Sequence, residues 1–270
     1  MSKQYLMRVK IFSKKNSHPL ETICFYSGQD QFDVLNAKTY SSNTKENVVW
    51  SNIEMPTKQD NLEMFNELPE YLKFRSPNPK KDMISNARNI LWQNISNRET
   101  REDSQLSRMF EVSIPSFLST DEASGLLKKF AATLVNDGMI ADCALHSRQN
   151  SLTISLLDRI KFLQNGTDEK MENPIVTSDY QGYIICPLRA YKNGQFVNKN
   201  REWNVPAKLG EWRRNWLTFL ADVLYSSNAS PEELANWEEK LSIYGEFEEI
   251  KQSLLSSPEN NDSPRIKMKM

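Results

Sequence analysis

Arginine and tryptophan residues occur together near the end of the sequence, in a combination that suits nucleic-acid binding. Arginine pairs with phosphates and aromatic rings stack on bases, so the two types together are typical of proteins that bind single-stranded nucleic acid. The residues concerned are Arg201, Trp203, Trp212, Arg213, Arg214 and Trp216. Tryptophans at helical spacing are more often core residues, and a packed helix is therefore the alternative interpretation of this segment.

Further candidate phosphate contacts are Arg101, Arg108 and Arg148. Glu99, Glu102 and Asp103 are interleaved with them, and mixed charge of this kind is also typical of an ordinary solvated helix surface. The chain has 34 basic and 35 acidic residues, for a net charge of −1. Nucleic-acid-binding domains usually carry a basic excess. The sequence therefore predicts at most weak binding of single-stranded DNA or RNA, through a local basic face.

Residues that bind metals are scarce. The histidines are His18 and His146, and the cysteines are Cys24, Cys143 and Cys186, widely spaced among apolar neighbours. A zinc site uses cysteines and histidines paired at short spacing, and no such pair occurs here. We therefore expect reduced, buried thiols in a cytosol-like compartment, and no cofactor.

The hydrophobic pattern predicts an α+β domain. Residues 5–12, 48–53, 109–114 and 140–145 have the pattern of strands, and Ser119 followed by Glu122 is a capping box that begins a helix. Strands and helices are mixed rather than strictly alternating, which favours a central antiparallel or mixed sheet with helices packed on it, plus C-terminal helices.

The same pattern suggests three regions. We expect a main domain over 1–228, a C-terminal amphipathic helix over 229–256 that packs on it or on a partner, and a flexible tail over 257–270. Residues 161–180 are polar and suggest an insertion. No stretch approaches the roughly 18 apolar residues that span a membrane, and the N-terminus lacks a signal-peptide core, so a cytoplasmic location is expected.

Several segments, taken in order, resemble the MobA/MobL relaxases, the nickases of plasmid mobilisation. The segments are Cys24-Phe25-Tyr26-Ser27-Gly28, the run from Arg101 to Arg108, Glu111-Val112-Ser113-Ile114-Pro115, the run from Gly138 to His146, and Arg201-Glu202-Trp203. The match covers most of residues 5–225, and the order and spacing of the pieces make it moderately specific. The resemblance implies an α+β relaxase-like domain acting in conjugation.

The chemistry that this resemblance implies uses a tyrosine and a metal. The tyrosine oxygen attacks a DNA phosphodiester and stays attached to the 5′ end. A divalent metal held by three histidines stabilises the developing charge, and two of those histidines lie two residues apart on one strand. With only His18 and His146, this chain cannot build that set.

The resemblance also indicates which residues replace the missing ones. His146 matches the first metal histidine, and the other two positions fall on Leu152 and Ile154, or on Ser178 and Tyr180 if the insertion shifts the register. The nucleophile position falls on Phe25, with Tyr26 one residue away. Tyr26, Glu111 and His146 are therefore remnant candidates, and no active catalytic residue is expected.

These departures predict a catalytically inactive relaxase-like protein, a pseudo-enzyme that serves as an accessory or regulatory factor of a mobile genetic element. The first alternative is an active, divergent relaxase that uses Tyr26 and a metal held by Glu111 or Asp142. The second is a pure protein-interaction module. A protein partner is expected in any case, because the last helical segment carries an acidic run that would repel DNA: Glu232, Glu233, Glu238, Glu239, Glu246, Glu248 and Glu249.

Overall fold

The computed structural model describes residues 6–15, 18–33, 36–56, 79–147, 179–192 and 195–256. The strands are β1 (Met7–Ser13), β2 (Gln31–Asp33), β3 (Lys38–Tyr40), β4 (Val48–Glu54), β5 (Gln105–Ile114), β6 (Ala141–His146), β7 (Tyr180–Pro187), β8 (Arg189–Lys192) and β9 (Gln195–Lys199). The helices are α1 (Pro19–Ser27), α2 (Pro79–Arg98), α3 (Thr120–Asn136), α4 (Pro206–Ser226), α5 (Pro231–Ser242) and α6 (Phe247–Ser256), with a 3-10 turn at Arg201–Asn204.

Five strands form one antiparallel sheet in the order β1-β5-β7-β6-β4. The short strands β2 and β3 pair with each other, as do β8 and β9. The α+β class and the antiparallel central sheet predicted from the sequence are confirmed. Strand β7 is the central strand, with β5 on one side and β6 on the other, and β6 in turn pairs with the edge strand β4.

Helices α3 to α6 cover one face of the sheet, which we call the α3/α4 face. Alternate residues of the strands point to it, including Phe110, Val112, Cys143 and Ile184. Helix α3 begins with the predicted capping box at Ser119 and Glu122 and buries its apolar stripe here. The buried residues that α4, α5 and α6 add are Trp212, Trp216, Leu220, Trp237, Leu241, Phe247 and Ile250.

The C-terminal region differs from its prediction in one respect. Residues 229–256 contain two helices, α5 and α6, where the sequence suggested one. The break falls at Tyr244 to Phe247, where turn hydrogen bonds join Tyr244 N–H to the Leu241 carbonyl and Phe247 N–H to the Tyr244 carbonyl. Both helices still bury apolar residues in the core on the α3/α4 face.

The opposite face of the sheet, the α1/α2 face, carries α1 and α2 over a second apolar cluster. It contains Leu20, Ile23, Leu91, Trp92, Ile95, Met109 and Ile185. Helix α2 ends at Arg98, and residues 99–104 turn into β5. No helix within the described ranges is long and apolar enough to cross a membrane.

Gly28 fixes how the chain leaves α1. It has φ +67°, the left-handed conformation that ends many helices, and a Cβ at this position would lie 2.6 Å from Cγ2 of Val48. Glycine is therefore required on two grounds, its backbone conformation and the close approach of β4. This turn sets the position of the last residues of α1 over the sheet.

Candidate functional site

Tyr26, rather than Phe25, faces the sheet. The two residues are successive on α1, so their side chains leave the helix about 100° apart. Phe25 is 39% exposed, whereas the Tyr26 ring packs over β7 with its centroid 4.7 Å from that of Tyr183. The Phe25 ring meets the Tyr26 ring edge-on with their centroids 5.0 Å apart. The ring of Phe12 on β1 lies 6.4 Å from the Tyr26 ring, centroid to centroid. The tyrosine that the sequence placed next to the nucleophile position thus faces the α1/α2 side of the sheet.

His146 is the last residue of β6 and lies directly below the end of α1. Its Nε2 is 2.5 Å from the backbone carbonyl oxygen of Tyr26, and its ring meets that of Tyr183 edge-on at 4.8 Å. A carbonyl only accepts, so Nε2 carries the proton in this contact. Burial lowers the pKa of His146, although the bond to the carbonyl acts in the other direction. The structure therefore holds a neutral imidazole whose Nε2 lone pair is not available to a ligand.

Gln181 and Tyr183 occupy the positions of β7 next to His146. In the register of β6 and β7, His146 is opposite Gln181 and Ala144 is opposite Tyr183. The two β7 residues are separated by one residue and therefore share the α1/α2 face. The Gln181 side-chain Nε2 donates to the Val112 carbonyl at 3.0 Å. Neither residue was a candidate from the sequence, whose candidates for the metal positions were Leu152 and Ile154 or Ser178 and Tyr180.

Glu111 of β5 lies in the same row of the sheet, opposite Tyr183 on one side and Arg8 on the other. Its Oε2 is paired with Lys10 Nζ at 2.8 Å, and both side chains are partly exposed. Burial raises the pKa of Tyr26, and the negative charge of Glu111 raises it further, with a smaller opposing effect of Arg8. The Tyr26 phenol is therefore held in its protonated form at neutral pH.

Asp142, the other carboxylate considered from the sequence, is the centre of a buried network. It accepts from Arg88 Nε at 2.8 Å and from Trp92 Nε1 at 2.8 Å, and Arg88 Nη2 also lies 2.8 Å from it. The Arg88 guanidinium is fully buried and donates as well to the Gln29 side chain. Arg88 and Trp92 lie four residues apart on α2, and this spacing is the signal in the sequence that could have indicated a shared partner.

A small pocket lies between the buried network of Asp142 and the rings of Tyr26 and Tyr183. It is lined by Ile23, Tyr26, Ser27, Asp142, Ala144, Tyr183 and Ile185. The Asp142 carboxylate accepts from Arg88 Nε and Trp92 Nε1 and is ion-paired with the Arg88 guanidinium, so the pocket is polar on one wall without presenting an unpaired charge.

The residues around Tyr26 do not fit a divalent metal. His146 is the single imidazole there, with its Nε2 bonded to a carbonyl; Glu111 is paired with Lys10, and Asp142 with Arg88. Within the described part of the chain no group of three histidine, cysteine or carboxylate side chains could hold a metal ion. Leu152 and Ile154, the residues matched to the metal positions from the sequence, lie outside the described residues.

The candidate nucleic-acid arginines are dispersed over the molecule. Arg108 is 2% exposed, lies 5.1 Å from the Trp212 ring on the α3/α4 face and donates to Asn204, so its guanidinium is not on the protein surface. Trp203, Trp212 and Trp216 are buried, as the alternative interpretation held. The structure does not describe Arg148.

The remaining arginines are exposed, and three of them are paired. Arg101 pairs with Asp103 at 2.6 Å, Arg214 with Glu249 at 3.1 Å, and Arg213 lies 3.9 Å from Glu246. Arg213 thus contacts the residue before α6, and Arg214 contacts α6 itself, on the side of the sheet away from Tyr26. Arg201 is exposed at the 3-10 turn.

Comparison with known proteins assigns this arrangement to a family. The MobA/MobL family model matches residues 21–233, which include most of α1 with Tyr26, the whole of β5 to β7, and helix α4. The chain belongs to the MobA/MobL family. The match extends over well more than half of its 270 residues.

A solved structure shares the fold of this MobA/MobL chain. It comes from work on the molecular basis of vancomycin resistance transfer in Staphylococcus aureus, and the two chains superpose with a TM-score of 0.56 at 21% identity. The similarity covers 83% of this chain and 94% of that one. No curated protein matches the sequence.

Proposed function

We propose that this MobA/MobL protein is an accessory or regulatory factor of DNA transfer by a mobile genetic element and that it does not nick DNA. Membership of the family supports the relation to DNA transfer. The proposal of inactivity rests on one observation: beside His146, strand β7 presents Gln181 and Tyr183, and the His146 Nε2 is bonded to the Tyr26 carbonyl. These positions on β7 are our assignment of the two metal positions that the family resemblance implies.

The Tyr26 phenol is a poor nucleophile in this setting. Attack on a phosphodiester needs the phenolate or a base that removes the proton, together with positive charge to stabilise the phosphate oxygens. Here burial and Glu111 raise the pKa of Tyr26. The neutral His146 imidazole cannot take the proton through Nε2, and Lys10 is held by Glu111. Each requirement of the nicking step is therefore unmet among these residues.

Binding is the activity that this surface can still support. The exposed Phe25 ring stands against Tyr26, and strand β1 carries the exposed Arg8 beside Lys10, whose charge is paired with Glu111. An exposed aromatic ring next to cations suits stacking of one base and pairing with the neighbouring phosphates. We propose that single-stranded DNA, with RNA as the alternative ligand, contacts this surface with modest affinity.

A protein partner is proposed for the opposite side of the molecule. Helices α5 and α6 carry exposed glutamates, and Ile243 between them is 79% exposed. Acidic surface of this kind disfavours DNA and suits a basic partner. The pairs of Arg213 and Arg214 with α6 leave little positive charge there.

The test of inactivity is a nicking assay with the full chain, magnesium or manganese, and a supercoiled plasmid that carries the transfer origin of its own element. We expect the plasmid to remain supercoiled with the wild-type chain and with Tyr26→Phe. Conversion to the open circle by the wild-type chain but not by Tyr26→Phe would overturn the proposal.

One observation favours an active, divergent relaxase as the second candidate. Tyr26 faces the sheet beside His146, and Glu111 is close enough to influence its pKa. Calorimetric titration with manganese separates the two candidates, because a metal held by Glu111 would release heat that Glu111→Gln abolishes. We expect no such heat.

A further inference from the structure

We infer that a basic cluster at the far end of β1 is a second contact for nucleic-acid backbone phosphates, separate from the surface around Tyr26. The cluster consists of Lys14, Lys15, Arg98, Arg189 and Lys199. The choice of DNA as the ligand rests on the proposed function. The contacts that assemble the cluster do not depend on that proposal.

Three separate parts of the chain meet at the cluster. Lys14, just after β1, donates from Nζ to the Glu99 carbonyl at 2.9 Å. Arg189 of β8 and Lys199 of β9 pair with the Glu99 carboxylate at 2.7 and 3.0 Å. Glu99 follows the end of α2, so one acidic residue holds the β8–β9 hairpin against the C-terminal end of that helix.

The cluster has more positive charge than its structural contacts require. Glu99 is buried and shared by Arg189 and Lys199, which together lower the pKa of its carboxyl against the effect of burial. Lys14, Lys15 and Arg98 are exposed, and no carboxylate pairs with them among the described residues. The segment that follows α2 adds one cation, Arg101, and two carboxylates, Glu102 and Asp103. With these included, six cations still outnumber three carboxylates.

An aromatic ring accompanies these cations. The guanidinium of Arg98 lies 5.7 Å from the centroid of Phe196 on β9, which in turn packs edge-on against Tyr191 at 5.0 Å. Val197 next to it is 40% exposed. In proteins that bind single strands, cations pair with the phosphates and aromatic rings stack on the bases, whatever the base sequence.

Strand β1 connects the cluster to the surface around Tyr26. It lies at the edge of the sheet, and Arg8, Lys10 and Phe12 point to its α1/α2 face. At about 3.3 Å per residue, Arg8 and Lys14 are roughly 20 Å apart. A stacked strand with a rise of about 3.4 Å would place roughly six phosphates over this distance. Arg8 and Lys14 thus lie near the two ends of this distance, with Lys10, paired with Glu111, between them.

The test is fluorescence anisotropy of the full chain with a labelled single-stranded DNA of about 20 nucleotides, measured between about 50 and 200 mM salt. The variant Lys15→Gln/Arg98→Gln removes two exposed cations that make no ion pair in the described structure. We expect about tenfold weaker binding and a salt slope smaller by about two, since each lost phosphate contact changes the slope by about one.

The matched control is Arg213→Gln/Arg214→Gln, which removes the same charge from the other side of the molecule. We expect its affinity to stay within about twofold of the wild type. Equal weakening by both double variants, or no DNA binding by the wild-type chain, overturns the inference. So does an unchanged DNA affinity of Lys15→Gln/Arg98→Gln combined with lost binding to phosphatidylserine vesicles, because the cluster would then be a membrane contact.

Two further results separate this inference from the proposed function. If Phe25→Ala weakens DNA binding and the cluster variant does not, the inference fails and the proposed function is unaffected. If the cluster variant weakens binding but the wild-type chain nicks its plasmid, the inference holds and the proposed inactivity fails.

Discussion

The Nε2 atom of His146 lies 2.5 Å from the backbone carbonyl oxygen of Tyr26, and this contact joins the end of β6 to the end of α1. The imidazole thereby acts as a structural donor to the residue that carries the candidate nucleophile. Because the contact occupies Nε2 and leaves Nδ1 as the nitrogen for a ligand, it connects the packing of α1 with the loss of chemistry that we propose for this MobA/MobL chain.

His146 makes the stability of the protein depend on pH. Burial lowers its pKa below the usual 6.5, so the unfolded chain binds a proton at a pH where the folded chain does not. The free energy of unfolding should therefore decrease as the pH falls below about 6.5. His146→Gln, which keeps a donor, should reduce this decrease, and urea titrations at pH 7.5 and 5.5 measure it.

His18 gives the control for that prediction. Its pKa is also lowered by burial, against the effect of Asp33, so part of the pH dependence should remain in the His146→Gln variant. The double variant His18→Gln/His146→Gln should have the flattest profile. A profile that is unchanged in His146→Gln would contradict the buried, neutral imidazole.

The buried pair of Arg88 and Asp142 should be a large contributor to stability. Asp142→Asn leaves the Arg88 guanidinium buried without its counter-charge, and losses of this kind cost about 3–5 kcal/mol. Adding Arg88→Met should recover part of that loss. The exposed pair of Lys129 and Asp222 is the matched control, and Asp222→Asn should change the free energy of unfolding by less than about 1 kcal/mol. Similar losses at the two pairs would argue against a dry network below Tyr26.

Gly28→Ala should destabilise the protein by about 2–3 kcal/mol, because the left-handed conformation is strained with a side chain and the new Cβ meets Val48. Gly125→Ala in α3 is the control, since its Cβ has no neighbour within 4 Å and alanine favours the helix. That variant should be stabilised by about 0.5–1 kcal/mol. Denaturant titration of both variants measures the difference; equal effects would mean that the turn after α1 does not depend on glycine.

The assignment of Gln181 and Tyr183 to the missing metal positions can be tested by adding histidines. Gln181→His/Tyr183→His gives three imidazoles on neighbouring strands, together with His146. We expect manganese binding by calorimetry in this variant, in which His146 offers Nδ1 because its Nε2 donates to the Tyr26 carbonyl. We expect none in the wild type or in the single variant Gln181→His, which has two imidazoles. Manganese binding by the wild type that equals that of the variant would refute the assignment.

The sequence predicted best what local spacing determines. Ser119 and Glu122 lie three residues apart, and their capping box formed as expected at the start of α3. The left-handed turn at Gly28 is equally local. Local spacing does not determine which distant segments of the chain pair with each other. The register that places Tyr183 opposite both Glu111 and Ala144 depends on three strands meeting, and the contact of Arg88 with Asp142 joins residues 54 positions apart.

The same limit applies to the candidate site. Phe25 and Tyr26 could be told apart only once α1 and its orientation over the sheet were known. Arg108 lies on a strand, where a shift of one residue exchanges the two faces, so its burial under Trp212 could not be inferred from its charge.

The most direct test of the central claim is formation of a covalent bond between Tyr26 and DNA. A labelled single-stranded oligonucleotide that spans the transfer origin is incubated with the full chain and manganese, and protein-bound label is measured on a denaturing gel. We expect no label on the wild-type chain and none on Tyr26→Phe. Label that survives denaturation on the wild-type chain and disappears in Tyr26→Phe would contradict it.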